Sequence, residues 1–314
     1  METITFDAAC GGGNKIVAFL CPTDKVQPAK GIVQICHGMA DYFWRYKEFI
    51  EYLNNEGWNV CGMDMMGHGQ TYETNKNNDM PLGYFGDCKE SAMCILKDEM
   101  QLRKIAQEKM GPTDNHVLYG HSMGSFVARN IYITPEYSGG FSKFVFASTM
   151  GNNPAVGAGL LLSNIGMLFG LKSRPGKLLN KIAFGTYNKR VPNKKTDFDW
   201  ISTDDEVVAT YCADPLAGFL FTWKGFKDLF TLVKRMQGKE AYNNAGMAPC
   251  LLPFGEDDPV GNYGEGPREV AEKFRAVGKV VTIKNYGHYR HEIQNEPEVN
   301  KQYFRDIADF IALP

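Results

Sequence analysis

Short apolar runs that alternate with helical patterns are the feature that most limits how this 314-residue chain can fold. Four runs in the first half have the length and composition of buried strands, and they lie at 31–36, 59–64, 116–119 and 143–148. Between them, apolar residues recur every three or four positions, in segments that lie at 46–57, 89–109 and 123–133. This alternation predicts a mostly parallel sheet with helices on both faces.

The strand rhythm stops after residue 149. Residues 150–240 are rich in glycine and then helical in pattern, and strand-like runs resume afterwards. We therefore predict an α/β core made of residues 1–149 and 241–314, with a helical insertion at 150–240. Near the N-terminus, the three glycines at 11–13 predict the turn of a hairpin between two early strands.

The bulk composition excludes several classes of protein. Hydrophobic residues make up 44% and charged residues 22%, as in globular proteins. The net charge of −2 argues against a nucleic-acid partner. The longest apolar stretch, 156–171, is interrupted by polar residues and is shorter than the ~20 residues that a bilayer span needs. We also expect no signal peptide, because no basic segment followed by an apolar one opens the sequence.

The sequence gives no sign of a metal or cofactor. The eight cysteines contain no C-x-x-C pair, and Cys36, Cys61 and Cys250 lie inside strand-like runs. They are typical of small buried side chains in a reducing, cytoplasmic compartment. No H-E-x-x-H or clustered Cys/His spacing is present, and the glycines at 11–13 lack the G-K-[ST] of a phosphate-binding loop.

A nucleophile candidate lies in Gly120-His121-Ser122-Met123-Gly124, which fits the pattern G-x-S-x-G. An apolar strand leads into this segment and a helical pattern leaves it. A sharp strand-to-helix turn would hold the hydroxyl of Ser122 clear of the sheet, and the flanking glycines would let neighbouring backbone approach. A serine hydroxyl needs a base, and only His288 and His291 follow Ser122 in the sequence. Both lie in the loop after the predicted strand 279–284.

Three carboxylates follow the strand-like run 250–254, where an acid that orients a histidine is expected. Asp258, held by the next residue Pro259, is the preferred acid, whereas Glu256 and Asp257 are more typical of a solvated loop. An oxyanion needs backbone donors. The N–H of Met123, directly after the serine, is one candidate, and the N–H of Met39, after the first strong strand, is the other.

With these residues in place, the chain resembles the monoacylglycerol lipase and lysophospholipase branch of the α/β-hydrolases over nearly its whole length. The resemblance is carried by the segments His37-Gly38, Asp64-Met65-Met66-Gly67-His68-Gly69, the turn at Ser122, Asp258-Pro259-Val260-Gly261 and Arg290-His291-Glu292-Ile293. It implies an α/β-hydrolase fold in which 150–240 is the cap, or lid. It also implies that His291 is the catalytic base and Asp258 the acid. Met39 is bulkier than the small residue often found at its position.

The resemblance implies hydrolysis of a carboxylic ester, most closely a monoacylglycerol or lysophospholipid, through an acyl-enzyme on Ser122. Alternatives are a short-chain carboxylesterase or feruloyl-type esterase, and a non-catalytic ligand-binding protein on the same fold. A further alternative is an aminopeptidase whose lid carboxylates Asp204, Asp205 and Glu206 hold a free amine, although these residues are also typical of a solvated helix start.

The lid segment 160–170 is unusually apolar. One interpretation is a helix packed on the core, and the other is a lipid-facing surface that makes peripheral membrane contact. On the second interpretation we predict that Leu161, Ile165 and Leu168 contact the acyl chain of a lipid or ester substrate.

Overall fold

The computed structural model describes residues 1–313, and a sheet of eight strands forms its centre. The strands are β1 (Glu2–Asp7), β2 (Lys15–Cys21), β3 (Ile32–Cys36), β4 (Asn59–Asp64), β5 (His116–His121), β6 (Lys143–Ala147), β7 (Cys250–Phe254) and β8 (Val281–Asn285). Their spatial order is β1-β2-β4-β3-β5-β6-β7-β8. The pairs β1–β2 and β2–β4 are antiparallel and all the others are parallel. The predicted mostly parallel sheet is confirmed.

Helices connect the strands. The α-helices are α1 (Lys47–Asn55), α2 (Gly69–Asn75), α3 (Ser91–Met110), α4 (Met123–Tyr132), α5 (Pro135–Ser138), α6 (Val156–Leu168), α7 (Lys177–Phe184), α8 (Asp205–Ala213), α9 (Trp223–Arg235), α10 (Lys239–Asn243), α11 (Glu265–Ala276) and α12 (Asn300–Ala312). Short 3-10 helices lie at Phe43–Tyr46, Lys76–Asn78, Tyr187–Arg190, Asp199–Ile201 and Ile293–Asn295. None of the helices within residues 1–313 has both the length and the apolar character needed to cross a lipid bilayer.

The glycines at 11–13 form the turn between β1 and β2, as the sequence predicts. All three have φ near +72°, a backbone conformation that glycine adopts without the clash of a side chain. The hairpin places β2 beside β4, so the antiparallel end of the sheet continues into the parallel part.

Helices bury both faces of the sheet. On one face α1 and α12 pack together, with the rings of Phe49 and Phe304 5.1 Å apart and the hydroxyls of Tyr119 and Tyr303 hydrogen-bonded at 2.9 Å. On the other face α4 and α11 meet through the rings of Tyr132 and Phe274, which are 5.4 Å apart. Residues that face the two layers are almost all buried, so the strands between them are apolar on both sides.

The helices α6 to α10 lie between β6 and β7 in the sequence, and we refer to this insertion as the cap. Small residues let α6 approach α9 closely. A methyl group at Gly159 would lie 2.9 Å from the ring of Phe230, and one at Gly166 would lie 2.2 Å from the ring of Trp223. The cap is fastened to the core at Gly83, whose carbonyl accepts hydrogen bonds from the N–H and the hydroxyl of Thr222 at 3.3 and 3.1 Å.

Candidate active site

Ser122 lies at the sharp turn between β5 and α4. Its φ of 53° and ψ of −120° form a conformation that serine rarely adopts, and such strain costs about 1–3 kcal/mol. The turn is possible because Gly120 and Gly124 lack side chains. A methyl group at Gly120 would lie 2.3 Å from the Gly124 carbonyl oxygen, and one at Gly124 would lie 2.0 Å from the Cys36 carbonyl oxygen. The turn holds Ser122 on the wall of a cavity between the sheet and the cap.

His291 and Asp258 form a buried pair beside that cavity. The Nδ1 of His291 lies 2.9 Å from Oδ1 of Asp258, and the two side chains are 3% and 0% exposed. Because a carboxylate accepts, Nδ1 carries the proton and Nε2 is left free to accept one. Oδ1 also accepts from the Val260 N–H at 2.9 Å, which orients the carboxylate. His291 lines the same cavity as Ser122.

The backbone of His291 is fixed from two sides. Its carbonyl oxygen accepts a hydrogen bond from Oγ of Ser148 at 2.7 Å and one from Nε2 of His121 at 3.2 Å. Burial, together with the nearby His291, lowers the pKa of His121 to about 4, so His121 is neutral near pH 7 and donates through Nε2. The ring of Trp200 packs 5.0 Å from that of His291.

The alternative residues lie elsewhere. His288 is exposed, outside the cavity, and its Nδ1 is 3.5 Å from Asp257. Glu256 is held by Arg268 and Asn285 at 3.2 and 2.7 Å. The structure therefore brings Ser122, Asp258 and His291 together and keeps the other three candidates apart from them.

The predicted oxyanion donors face the same cavity. Met39 and Met123 both line it, and Met123 is the first residue of α4, where a backbone N–H has no partner within its helix. The loop that carries Met39 is held by Asp41, whose Oδ2 accepts from the Gly38 N–H at 3.1 Å. Met39, Met123 and the N-terminus of α4 thus border one cavity, as two backbone donors for a negative oxygen would need to do.

A buried ion-pair network, which the sequence analysis missed, joins this loop to the histidine segment. Arg45 donates to Asp41 at 3.0 Å and, with two nitrogens, to Glu292 at 2.9 and 2.7 Å. Burial alone would raise the pKa of Asp41, but Arg45 beside it holds that pKa at about 2. The same guanidinium keeps the pKa of Glu292 below its usual value despite burial. The only sequence signal was the spacing of Asp41 and Arg45, four residues apart.

The segment 64–69 contributes hydrogen bonds and a buried ring next to the cavity. The two carboxylate oxygens of Asp64 accept from the N–H groups of Phe43 and Gln70 at 2.8 and 2.7 Å. The ring of His68 packs 5.2 Å from that of Phe219, which lines the cavity. Burial lowers the pKa of His68 to about 3, so this histidine is neutral and acts as packing.

The cavity has a volume of about 550 Å³, within the range of ~300–1,000 Å³ that small-molecule sites occupy. Part of its wall is apolar and includes Phe126, Val156, Leu229, Phe230, Val233 and Val260. Another part is polar and includes Asn153, Asn180, Lys181 and Asn188. The cavity can therefore hold a molecule with one apolar and one polar end.

The predicted lid contacts require a correction. Leu161, Ile165 and Leu168 are 64%, 43% and 87% exposed, and none of them lines the cavity. The helix α6 contributes Val156 and Gly159 instead. The physical reason is that the small residues of α6 face α9. The three predicted leucine and isoleucine side chains of α6 therefore lie on its solvent side.

Within residues 1–313, no group of three or more His, Cys, Asp or Glu side chains is arranged to hold a metal ion.

The chain is similar to known proteins over most of its length. A family model described as serine aminopeptidase, S33 (Hydrolase_4) matches residues 27–298. A monoacylglycerol lipase of Mycolicibacterium smegmatis is 28% identical over 305 residues, which cover 96% of this chain and 94% of that protein.

Two solved structures are similar over nearly their whole length. A thermostable carboxyl esterase from Bacillus coagulans, in complex with glycerol, has a TM-score of 0.88 and 28% identity, and the match covers 99% of this chain and 97% of that one. A lipase in its open form has a TM-score of 0.86 and 25% identity, with 100% and 99% covered. Together with the family match over most of the sequence, they confirm the resemblance to α/β-hydrolases, and the chain belongs to the serine aminopeptidase S33 family of that fold.

Proposed function

We propose that this protein is a serine hydrolase that cleaves carboxylic esters through an acyl-enzyme on Ser122. The observation that carries the proposal is the meeting of three features at one cavity. Ser122 lies there on a strained turn, the His291–Asp258 pair lies beside it with a free Nε2, and Met39 and Met123, the proposed backbone donors, line the same cavity. The relatives that are esterases and lipases support ester hydrolysis.

The mechanism follows from these positions. Ser122 Oγ attacks the ester carbonyl while Nε2 of His291 takes its proton, and Asp258 stabilises the charged imidazole that results. The N–H groups of Met39 and Met123 hold the oxyanion. His291 then protonates the leaving alcohol. In the second half, His291 takes a proton from water, which attacks the acyl-enzyme and releases the acid.

The substrate class that best suits the cavity is a lipid with a single acyl chain, a monoacylglycerol or a lysophospholipid. The apolar wall suits the chain, the polar wall suits a head group, and a volume of about 550 Å³ suits one chain. The similarity to a monoacylglycerol lipase points the same way. A short-chain carboxylesterase is the second candidate, because a carboxyl esterase structure is similar at a TM-score of 0.88.

Aminopeptidase activity, which the family description names, is less well supported by the site. An enzyme of that kind needs a free carboxylate to hold the substrate's amine. Asp204 caps α8 by accepting from two backbone N–H groups, Asp205 pairs with Lys195, and neither these residues nor Glu206 line the cavity. Asp41, Asp197 and Glu292 do line the cavity, but Arg45 is ion-paired with Asp41 and Glu292, and Lys194 with Asp197.

The test is a hydrolysis series of p-nitrophenyl esters from acetate to palmitate, followed by 1- and 2-monoacylglycerol, lysophosphatidylcholine and amino-acid p-nitroanilides. We expect rates that peak at medium or long chains, with turnover of monoacylglycerol. We expect Ser122→Ala to lose ~10³-fold or more in kcat and to lose fluorophosphonate labelling. Ser173→Ala, an exposed serine of the cap, is the matched control and should keep full activity.

Each outcome separates the candidates. Activity confined to acetate and butyrate would favour the carboxylesterase. Hydrolysis of the anilides in place of esters would favour the aminopeptidase. Wild-type rates in Ser122→Ala would refute the assignment of the nucleophile.

We further propose that the cap contacts lipid membranes. The cap patch consists of the exposed side chains of Leu161, Ile165, Leu168, Phe169, Leu178 and Ile182 on and beside α6 and α7. Arg174, Lys177 and Lys181 are exposed next to it. An apolar surface with a basic border fits the face of a bilayer that contains anionic lipids, where each basic residue contributes ~1 kcal/mol.

Co-sedimentation with vesicles of phosphatidylcholine, with and without phosphatidylglycerol, tests this contact. We expect Leu168→Asp to reduce the bound fraction several-fold and added phosphatidylglycerol to increase wild-type binding. Met247→Asp changes an equally exposed apolar residue outside the cap patch and should bind like wild type. Equal binding of all three proteins would refute the contact.

A further inference from the structure

Three cysteines gather at a point outside the cavity. The Sγ of Cys88 lies 3.0 Å from the Sγ of Cys94, with Cys88 in the loop before α3 and Cys94 in the first turn of that helix. Cys10, in the turn of the β1–β2 hairpin, packs against Gly86, where a methyl group would lie 2.9 Å from its Sγ. None of the three lines the cavity, and the proposed hydrolysis uses none of them.

The three thiols differ in access to solvent. Cys94 is 6% exposed, and burial together with the hydrogen bond to Cys88 raises its pKa to about 12. Burial and the nearby carboxylate of Asp98 raise the pKa of Cys10 to about 12 as well. Cys88 is half-buried and is the member of the close pair that a solution reagent can reach. A thiol that solvent can reach, with a buried one beside it, is the arrangement in which a mixed disulfide is resolved within the protein.

We propose that Cys88 and Cys94 form a reversible disulfide by exchange with a low-molecular-weight disulfide such as oxidised glutathione. Cys88 loses its proton and its sulfur attacks one sulfur of glutathione disulfide, whose S–S bond breaks to release one glutathione. Cys94 then loses its proton and attacks the sulfur of Cys88, which releases the second glutathione. Two protein thiols are oxidised and one glutathione disulfide is reduced, and an excess of glutathione reverses both steps.

The site has a structural consequence because the cap is fastened to the same segment. Asp87, next to Cys88, forms an ion pair with Lys172 of the cap. Ser91, at the start of α3, donates to Asp228 of α9 at 2.7 Å, and Lys224 pairs with the same carboxylate at 3.1 Å. A bond between Cys88 and Cys94 would close a loop that begins next to Asp87 and contains Ser91. Oxidation is therefore expected to stabilise the attachment of the cap.

The experiment incubates the full-length protein in glutathione buffers of increasing oxidised fraction, followed by acid quench and peptide mapping. We expect a linked peptide that joins Cys88 to Cys94 and, in the oxidised protein, two fewer free thiols than the eight of the reduced chain. The short loop that closes predicts a rise in Tm of about 3 °C, reversed by dithiothreitol. Limited proteolysis should cut the cap more slowly in the oxidised form.

Cysteine variants test whether Cys88 and Cys94 are the two residues that form the disulfide. Cys94→Ser should retain glutathione on Cys88 as a mixed disulfide and show no rise in Tm, and Cys88→Ser should form neither product. Cys10→Ser and the control Cys212→Ser, which changes an exposed thiol on α8, should both form the bond. A linked peptide between other cysteines, or glutathione retained on wild-type Cys88 while Cys94 stays alkylatable, would overturn the site. An unchanged Tm in fully oxidised protein would overturn its link to the cap.

Discussion

At the scale of single residues, the arrangement around Arg45 shows how the site depends on a side chain that is not expected to touch substrate. Its guanidinium holds Asp41 on the loop that carries Met39 and Glu292 directly after His291. One flat cation thus links the loop of the proposed oxyanion donor Met39 to the segment of the proposed base His291. Because the fork of donors matches a carboxylate geometrically, lysine cannot replace it fully.

We expect Arg45→Lys to lower kcat about 10- to 100-fold with a smaller change in KM, because the base and the oxyanion donors lose their alignment. Steady-state kinetics with the best p-nitrophenyl ester measure this split. Lys47→Ala, which removes an exposed cation of α1, is the control and should leave kcat unchanged. A variant with wild-type kcat would show that Arg45 has no positioning role.

The members of the candidate site differ in how well the sequence predicts them. Ser122, Asp258 and His291 are predictable because each follows a strand-like run in a recognisable order. The ion pair of Arg45 with Glu292 is not, because its partners are 247 residues apart and only the fold brings them together. The sharp turn at Ser122 is predicted by the G-x-S-x-G pattern, whereas its positive φ is known only from the coordinates.

At the scale of elements, α6 explains why its orientation escaped prediction. The apolar residues of this helix lie on nearly all of its faces, so their periodicity does not indicate which face packs inward. The packing is decided by Gly159, Ser163 and Gly166, which let α9 come close. We predicted that large side chains of α6 face the substrate, but it is the small residues of this helix that pack inward, against α9.

Two glycines of α6 provide a matched test of this packing. Gly166→Ala should destabilise the protein by about 1–3 kcal/mol, because its methyl group would overlap the ring of Trp223. Gly157→Ala places the same methyl group where nothing lies within 4 Å, and it should stabilise the helix by about 0.5–1 kcal/mol. Urea unfolding measures both. Equal effects of the two substitutions would contradict the close approach of α6 and α9.

At the scale of the whole molecule, two adjacent carboxyl groups of α3 link stability to pH. Burial raises the pKa of Asp98 and of Glu99 to about 7, from ordinary values of 3.8 and 4.5. Between those values the folded chain holds protons that the unfolded chain has lost. Stability is therefore highest below about pH 4.5, as far as these groups are concerned, and falls as pH rises to about 7.

We expect Glu99→Gln to reduce this loss of stability, since an amide does not ionise. The variant should match wild type near pH 5 and exceed it by about 1–3 kcal/mol near pH 8, measured by urea unfolding at both values. Glu108→Gln, an exposed change on the same helix, should show the wild-type dependence. A parallel pH dependence of all three proteins would rule out Glu99 as a source.

The sequence predicts the kind of fold but not the spatial order of the strands in the sheet. The alternation of strands and helices predicts a parallel sheet, and the break in that rhythm predicts an insertion. The position of β4 between β2 and β3, by contrast, depends on which strand edges meet in space. No local pattern of residues reports such long-range pairings.

The last two elements of the chain bear on how the protein is made. A ribosome completes Ser122 long before it reaches His291, and β8 and α12 flank that histidine on both sides. The hydroxyl of Tyr303 on α12 holds that of Tyr119, next to the turn at Ser122. A nascent chain therefore carries the proposed nucleophile before the proposed base has been made. On the proposed mechanism, we expect esterase activity only after His291 and α12 have left the ribosome and packed against the turn at Ser122.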